Sequence, residues 1–169
     1  PLTIDGGGGS FTSAESGLTN MVRIERNNAA TAGFRLLSLR AAVTLRNLEI
    51  ARGAITVPLG PTFDPFVEGG GCVASNAALT LNNVVLADCQ YSPTAPEIAY
   101  GGALYSSAAV VGSGVIVTRN LASSPYTTGG GGAYVSTSAT FTDSVFTANN
   151  SIGATASGGG IYAATLTLN

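Results

Sequence analysis

The 169 residues carry nine acidic and seven basic side chains, every base an arginine, for a net charge of −2, with no histidine and no lysine. Those absences exclude Ser/His/Asp and Cys/His nucleophile systems, imidazole metal sites, Schiff-base chemistry and a P-loop. The acidic balance argues against nucleic acid or an anionic membrane surface, both of which need a basic patch.

In chain order, the opening Pro1-Leu2-Thr3-Ile4-Asp5-Gly6 reads as a strand running into the glycines Gly6 to Gly9. A phosphate-binding reading of those glycines fails because no Lys-Ser/Thr follows and similar runs recur at Gly129 to Gly132, so they are expected to make tight corners. Residues 1–68 hold the less regular sequence, and residues 1–60 hold six of the seven arginines. After Arg119 the only charge is Asp143.

From residue 43 a repeat governs the chain. Val43 to Ile50, Leu79 to Leu86, Ala109 to Ile116, Ala139 to Phe146 and Leu166 to Asn169 align on Thr44, Thr80, Val110, Thr140 and Thr167, at spacings of 36, 30, 30 and 27. A second anchor, Gly69-Gly70, Gly101-Gly102, Gly131-Gly132 and Gly158-Gly159, keeps the same phase. In this alignment Leu81, Val111 and Phe141 form one apolar column and Leu86, Ile116 and Phe146 another, so all six are expected inside. Asn47, Asn83, Ser113 and Asp143 fall in one column and are expected to stack as a side-chain ladder at a turn.

The prolines gather after the second strand of each unit, at Pro58, Pro61, Pro65, Pro93, Pro96 and Pro125, which predicts loops over roughly 53–68, 90–100, 121–130 and 151–157. Units of about 30 residues made of short strands and corners cannot close a core alone and must stack. The expectation is an all-β single domain: a right-handed parallel β-helix of five to six coils, with loops protruding from one edge, cut from a longer chain. No apolar run approaches the roughly 20 residues of a membrane span, and no feature calls for a cofactor or a metal.

Gly101-Gly102-Ala103-Leu104-Tyr105, Gly158-Gly159-Gly160-Ile161-Tyr162 and Phe146-Thr147-Ala148-Asn149 resemble the GGA(I/L/V) and FxxN motifs of polymorphic outer membrane protein repeats. The stretch from Gly158 to Asn169 is also similar to repeats of bacterial right-handed β-helix surface proteins. The FxxN motif is complete once; Ile116 to Arg119 and Leu86 to Cys89 stand in its place elsewhere. The resemblance implies a non-catalytic, extracellular or outer-membrane-associated bacterial protein, structural or adhesive.

The candidate contact residues are the aromatics of the predicted loop edge, Phe63, Phe66, Tyr91, Tyr100 and Tyr126, facing a glycan or protein partner. The open coil ends suggest self-association by stacking into a filament. Cys72 and Cys89 are either a single disulfide or two small buried thiols. A carbohydrate-binding or carbohydrate-active β-helix is one alternative, although Asp88 and Asp143 lie in different units and Arg119 is the only base near them. An ice-binding solenoid is the other, on the outward Thr44, Thr80, Thr140 and Thr167, a column that Val110 interrupts.

Overall fold

The computed structural model describes residues 2–19, 21–56, 69–93 and 98–169. They form a parallel β-helix of about four turns, without a helix among the described residues. Ahead of the regular coils stand β1 (Leu2–Asp5), β2 (Val22–Glu25) and β3 (Leu37–Leu39). Next come β4 (Val43–Ala51), β5 (Ala54–Ile55) and β6 (Val73–Ser75), then β7 (Leu79–Ala87), β8 (Gln90–Tyr91), β9 (Ala99–Tyr100) and β10 (Leu104–Ser106). The following coil holds β11 (Val110–Ser113), β12 (Ile116–Thr118), β13 (Leu121–Ser123) and β14 (Thr127–Gly129). The last holds β15 (Ala133–Thr142), β16 (Val145–Thr147), β17 (Asn150–Ile152), β18 (Thr155–Ser157) and β19 (Ile161–Leu168).

Every strand-to-strand pairing is parallel, in one 12-stranded, one four-stranded and one three-stranded sheet. The two small sheets correct the expectation of a loop edge. Within 90–93, 98–100, 121–130 and 151–157 the chain runs as β8, β9, β13, β14, β17 and β18 and forms two more walls. The coil count is also lower than expected, because the chain ahead of Val43 devotes residues 6–21 to an excursion and β19 closes no further coil.

Three corners recur on successive coils, each placing one residue in the left-handed region. They are Asn47, Asn83, Gly114 and Asp143; Arg52, Asp88, Arg119 and Ala148; and Gly70, Gly101, Gly130 and Gly158. At the third corner a side chain is barred, because a Cβ on Gly70, Gly101 or Gly130 would run into the carbonyl oxygen three residues on.

This register corrects the sequence alignment by one residue in the coil that starts at Val110. Val110 pairs with Leu79 and Ala139, facing in, and Val111 pairs with Thr80 and Thr140, facing out at 52% exposure. The spacings from Leu79 are therefore 31 and 29 instead of 30 and 30. The inner column runs Leu45, Leu81, Gly112 and Phe141; Gly112 supplies no side chain, and the Phe141 ring occupies the space that one would need. The second column is Ile50, Leu86, Val117 and Phe146, so Ile116 faces outward beside Val85 and Val145. Leu81, Leu86 and Phe141 are buried as expected, while Phe146 is half-buried in the last coil, edge-on to Phe141 at 4.9 Å. Ser113 likewise leaves the turn column to Gly114; of that ladder, Asn83 Nδ2 donates to Asn47 Oδ1 at 3.4 Å and Asn47 Nδ2 to Asp5 Oδ1 at 2.9 Å.

A second asparagine ladder lies inside. Asn120 Nδ2 donates to Leu86 O (3.0 Å) and Asn149 Oδ1 (2.8 Å), Asn149 Nδ2 donates to Val117 O (2.8 Å), and the Cys89 amide donates to Asn120 Oδ1 (2.8 Å). It pairs backbone groups that the corner turns away from the strand ladders. Val117-x-x-Asn120 is thus the coil equivalent of Phe146-x-x-Asn149. Cys89 stands one coil below Asn120, bonded to Cys72 with Cα atoms 5.6 Å apart.

Ile116 is apolar despite facing out because residues 9–19 and Met21 fold over it as a strap. Phe11 and Met21 pair through their backbones and pack with Ala51, Val85, Ala87 and Ile116, leaving Met21 1% exposed. Ser13 donates to the buried Glu49 at 2.5 Å. At the strap's tip both Glu15 oxygens accept from Arg119, which also bonds Asp88 at 2.8 Å. The Arg119 guanidinium holds both carboxyls below their usual range.

Truncating Leu81 or Phe141 to alanine is expected to cost about 2–5 kcal/mol, while Val111→Thr shifts the urea midpoint little. Because the Glu15 and Asp88 carboxyls are depressed, their contribution is full above the ordinary carboxylate range and is lost as pH falls through their lower folded values. Limited proteolysis should therefore cut within 9–21 faster in acid, and in Arg119→Met already at neutral pH.

Candidate functional site

Four tyrosines come together on the outer wall. Tyr105, Tyr134 and Tyr162 follow β10, β15 and β19 in register, each one residue beyond an inward Leu104, Ala133 or Ile161, so all three face out. Tyr100, at the end of β9, joins them from the neighbouring wall. Its ring lies 4.1 Å from that of Tyr134, with Tyr162 4.8 Å from Tyr134 and Tyr105 5.8 Å away, all stacked. The coil repeat sets this spacing, since parallel neighbours about 4.8 Å apart hold flat rings near van der Waals distance. Each such pair is worth about 0.5–1.5 kcal/mol beyond the area it buries.

Beside the ladder runs a second outward column, Tyr100, Gly129 and Ser157, in which the missing side chain of Gly129 and the small Ser157 leave a groove. It measures about 310 Å³ including its open side. Tyr134 and Tyr162 form one wall, Thr127 and Thr128 line it as well, and no charged residue borders it among the described residues. A Cβ on Gly129 would already press on the Tyr134 ring at 3.1 Å, so this position keeps the ring against the coil. Burial, with the neighbouring hydroxyls of Tyr100, Tyr162 and Tyr105, pushes the Tyr134 phenol up to about 12.

Of the contact residues expected from sequence, the structure brings only Tyr100 into this site. Tyr91 is a correction: it is fully buried, packed with Ala99, Ala122 and Ile55, because the segment that carries it is an inner wall strand and not a loop. Tyr126 is 53% exposed at the turn between β13 and β14, and does not line the groove. Phe63 and Phe66 lie outside the described residues. Sequence reasoning missed Tyr105, Tyr134 and Tyr162, although the tyrosine after each glycine run and its apolar residue was a usable signal.

The acidic candidates are otherwise engaged. Asp88 is tied to Arg119, and Asp143 holds the left-handed corner. The Thr column is Thr3, Thr44, Thr80, Val111, Thr140 and Thr167, broken in the expected coil but by Val111 instead of Val110, and its neighbour reads Arg46, Asn82, Ser113 and Thr142. Two adjacent Thr columns, as an ice-matched grid requires, are not built.

No protein-family model, curated protein or solved structure matches the chain.

In an absorbance titration Tyr134→Phe is expected to remove a step near pH 12. The raised phenol adds stability below its ordinary value near 10, and that contribution is lost as pH rises from there toward 12; the melting temperature of the wild type, compared with Tyr134→Phe, should fall across that window.

Proposed function

We propose that this chain is a non-catalytic, right-handed β-helical segment of an extracellular bacterial surface protein, with a structural scaffold that carries an adhesive surface. The observation that carries the reading is the tyrosine-lined groove, without charge among its described residues, on the outer wall of a rigid coil stack. Such a surface suits recognition, since a scaffold fixed by its own packing presents side chains without ordering them on binding. The right-handed sense follows the preference of parallel crossover connections.

The bond between Cys72 and Cys89 supports placement outside the cytosol, where disulfides persist. The lack of histidine and lysine supports a role in binding over catalysis. No helix among the described residues is long and apolar enough to cross a membrane.

The test is thiol trapping and surface labelling on cells producing the parent protein, with adhesion of beads coated with the chain measured in parallel. The reading predicts labelling by a membrane-impermeant reagent, no alkylatable Cys72 or Cys89 before reduction, and bead retention on glycan-bearing surfaces. An unlabelled protein with both thiols free would refute it. Reduction is also expected to lower stability by about 3 kcal/mol, the chain-entropy value for a loop of this size, measurable in urea with and without dithiothreitol.

A further inference from the structure

Resting on the adhesive reading, we propose that the groove over Tyr100, Gly129 and Ser157 is a subsite for one pyranose ring of an uncharged glycan. The shape comes from the column itself. Tyr100 is large, Gly129 has no side chain and Ser157 is small, whereas the adjoining Tyr105, Tyr134 and Tyr162 are all large, so the groove is a notch cut beside a continuous aromatic wall.

The chemistry of the lining selects the ligand. Among the described lining residues Tyr100, Thr127, Tyr134, Ser157 and Tyr162 carry hydroxyls, and a hydroxyl both donates and accepts, whereas the Thr128 hydroxyl is turned inward and accepts from Ser151. A sugar ring offers alternating O–H groups that do the same, and a C–H face that packs on an aromatic ring. A proline-rich strand offers carbonyl acceptors alone and would leave half of that capacity unused. An anionic ligand would find no cation among the described lining residues.

The ladder also fixes where stacking takes place. Tyr134 is stacked against Tyr100 and Tyr162, so its faces are taken. Tyr162 stacks on Tyr134 and lines the groove with Ser157 beside it, so the two rings flank a sugar seated in the notch. The rings are held in place before any ligand arrives, which lowers the ordering cost of binding.

The chain contains no tryptophan, so tyrosine emission reports the site directly. The probes are soluble hexasaccharides of β-glucan, α-mannan, galactan and chitin, with oligogalacturonate and deca-proline as charged and peptide comparisons. A saturable emission change with at least one neutral hexasaccharide is expected, with ring-proton shifts at Tyr162 and Tyr134 and none at Tyr126 in the NMR spectrum of the wild type. Ser157→Tyr, on a strand exposed along its length, fills the notch and should weaken binding at least tenfold; Tyr126→Ser should leave it within twofold. Absence of binding to every neutral probe, shifts confined to other residues, or equal binding of deca-proline would overturn the proposal. Should the Ser157→Tyr variant not fold, the wild-type shifts decide alone. Coated beads that adhere equally well with Ser157→Tyr would remove the groove and leave the adhesive reading standing; wild-type beads that do not adhere, alongside saccharide-shifted Tyr162, would do the reverse.

Discussion

The whole structure depends on the chain turning left-handed corners at the same places on successive coils. Strands of three or four residues have too few hydrogen bonds to persist alone, and only in-register stacking gives each one parallel neighbours. Stacking in turn requires corners that superimpose. A left-handed residue other than glycine costs on the order of 1–2 kcal/mol, which explains Asn and Asp at the first corner, whose short polar side chains suit that region. Arg52, Arg119 and Ala148 lack that advantage, and their corner is held by neighbours: the inner asparagines next to it, and the alternating charges of Arg52, Asp88 and Arg119 outside.

The same periodicity that made the fold legible in the sequence also hid part of the surface. Thr44, Thr80, Thr140 and Thr167 do share a column, and the inward Leu81 and Phe141 follow from it. The slip came in the Val110 coil, where two adjacent valines and a Gly-Ser-Gly stretch give no residue that must face in or out. Volume decides the register there: Phe141 fills the space above Gly112, a relation between coils that no single repeat displays. Ile116 misled for a different reason, since its apolar side chain answers to Phe11 and Met21, far away in sequence. Of the described prolines, Pro93 and Pro125 lie between short wall strands and were too coarse a signal to separate Tyr91, inside, from Tyr126, outside.

The tyrosine ladder and the strap use opposite physics on different parts of one scaffold. The strap covers an apolar outer column and is fastened by ions, so its attachment responds to acid and salt. The ladder and its groove contain no charge among the described residues, and their geometry comes from coil spacing and from Gly129, with the phenols as the titrating groups.

The contact between Glu15 and Arg119 joins residues 104 apart in a molecule whose other bonds mostly link adjacent coils. A solenoid built only of nearest-neighbour contacts gains its stability coil by coil. Here the strap meets Glu49 and Ala51 of β4 early but lacks Val85, Ile116 and Arg119 until two further coils exist. During N-terminal-first synthesis at about 5–20 residues per second, Phe11 and Met21 wait several seconds between the appearance of Ala51 and that of Ile116, so the strap closes in stages, coil by coil.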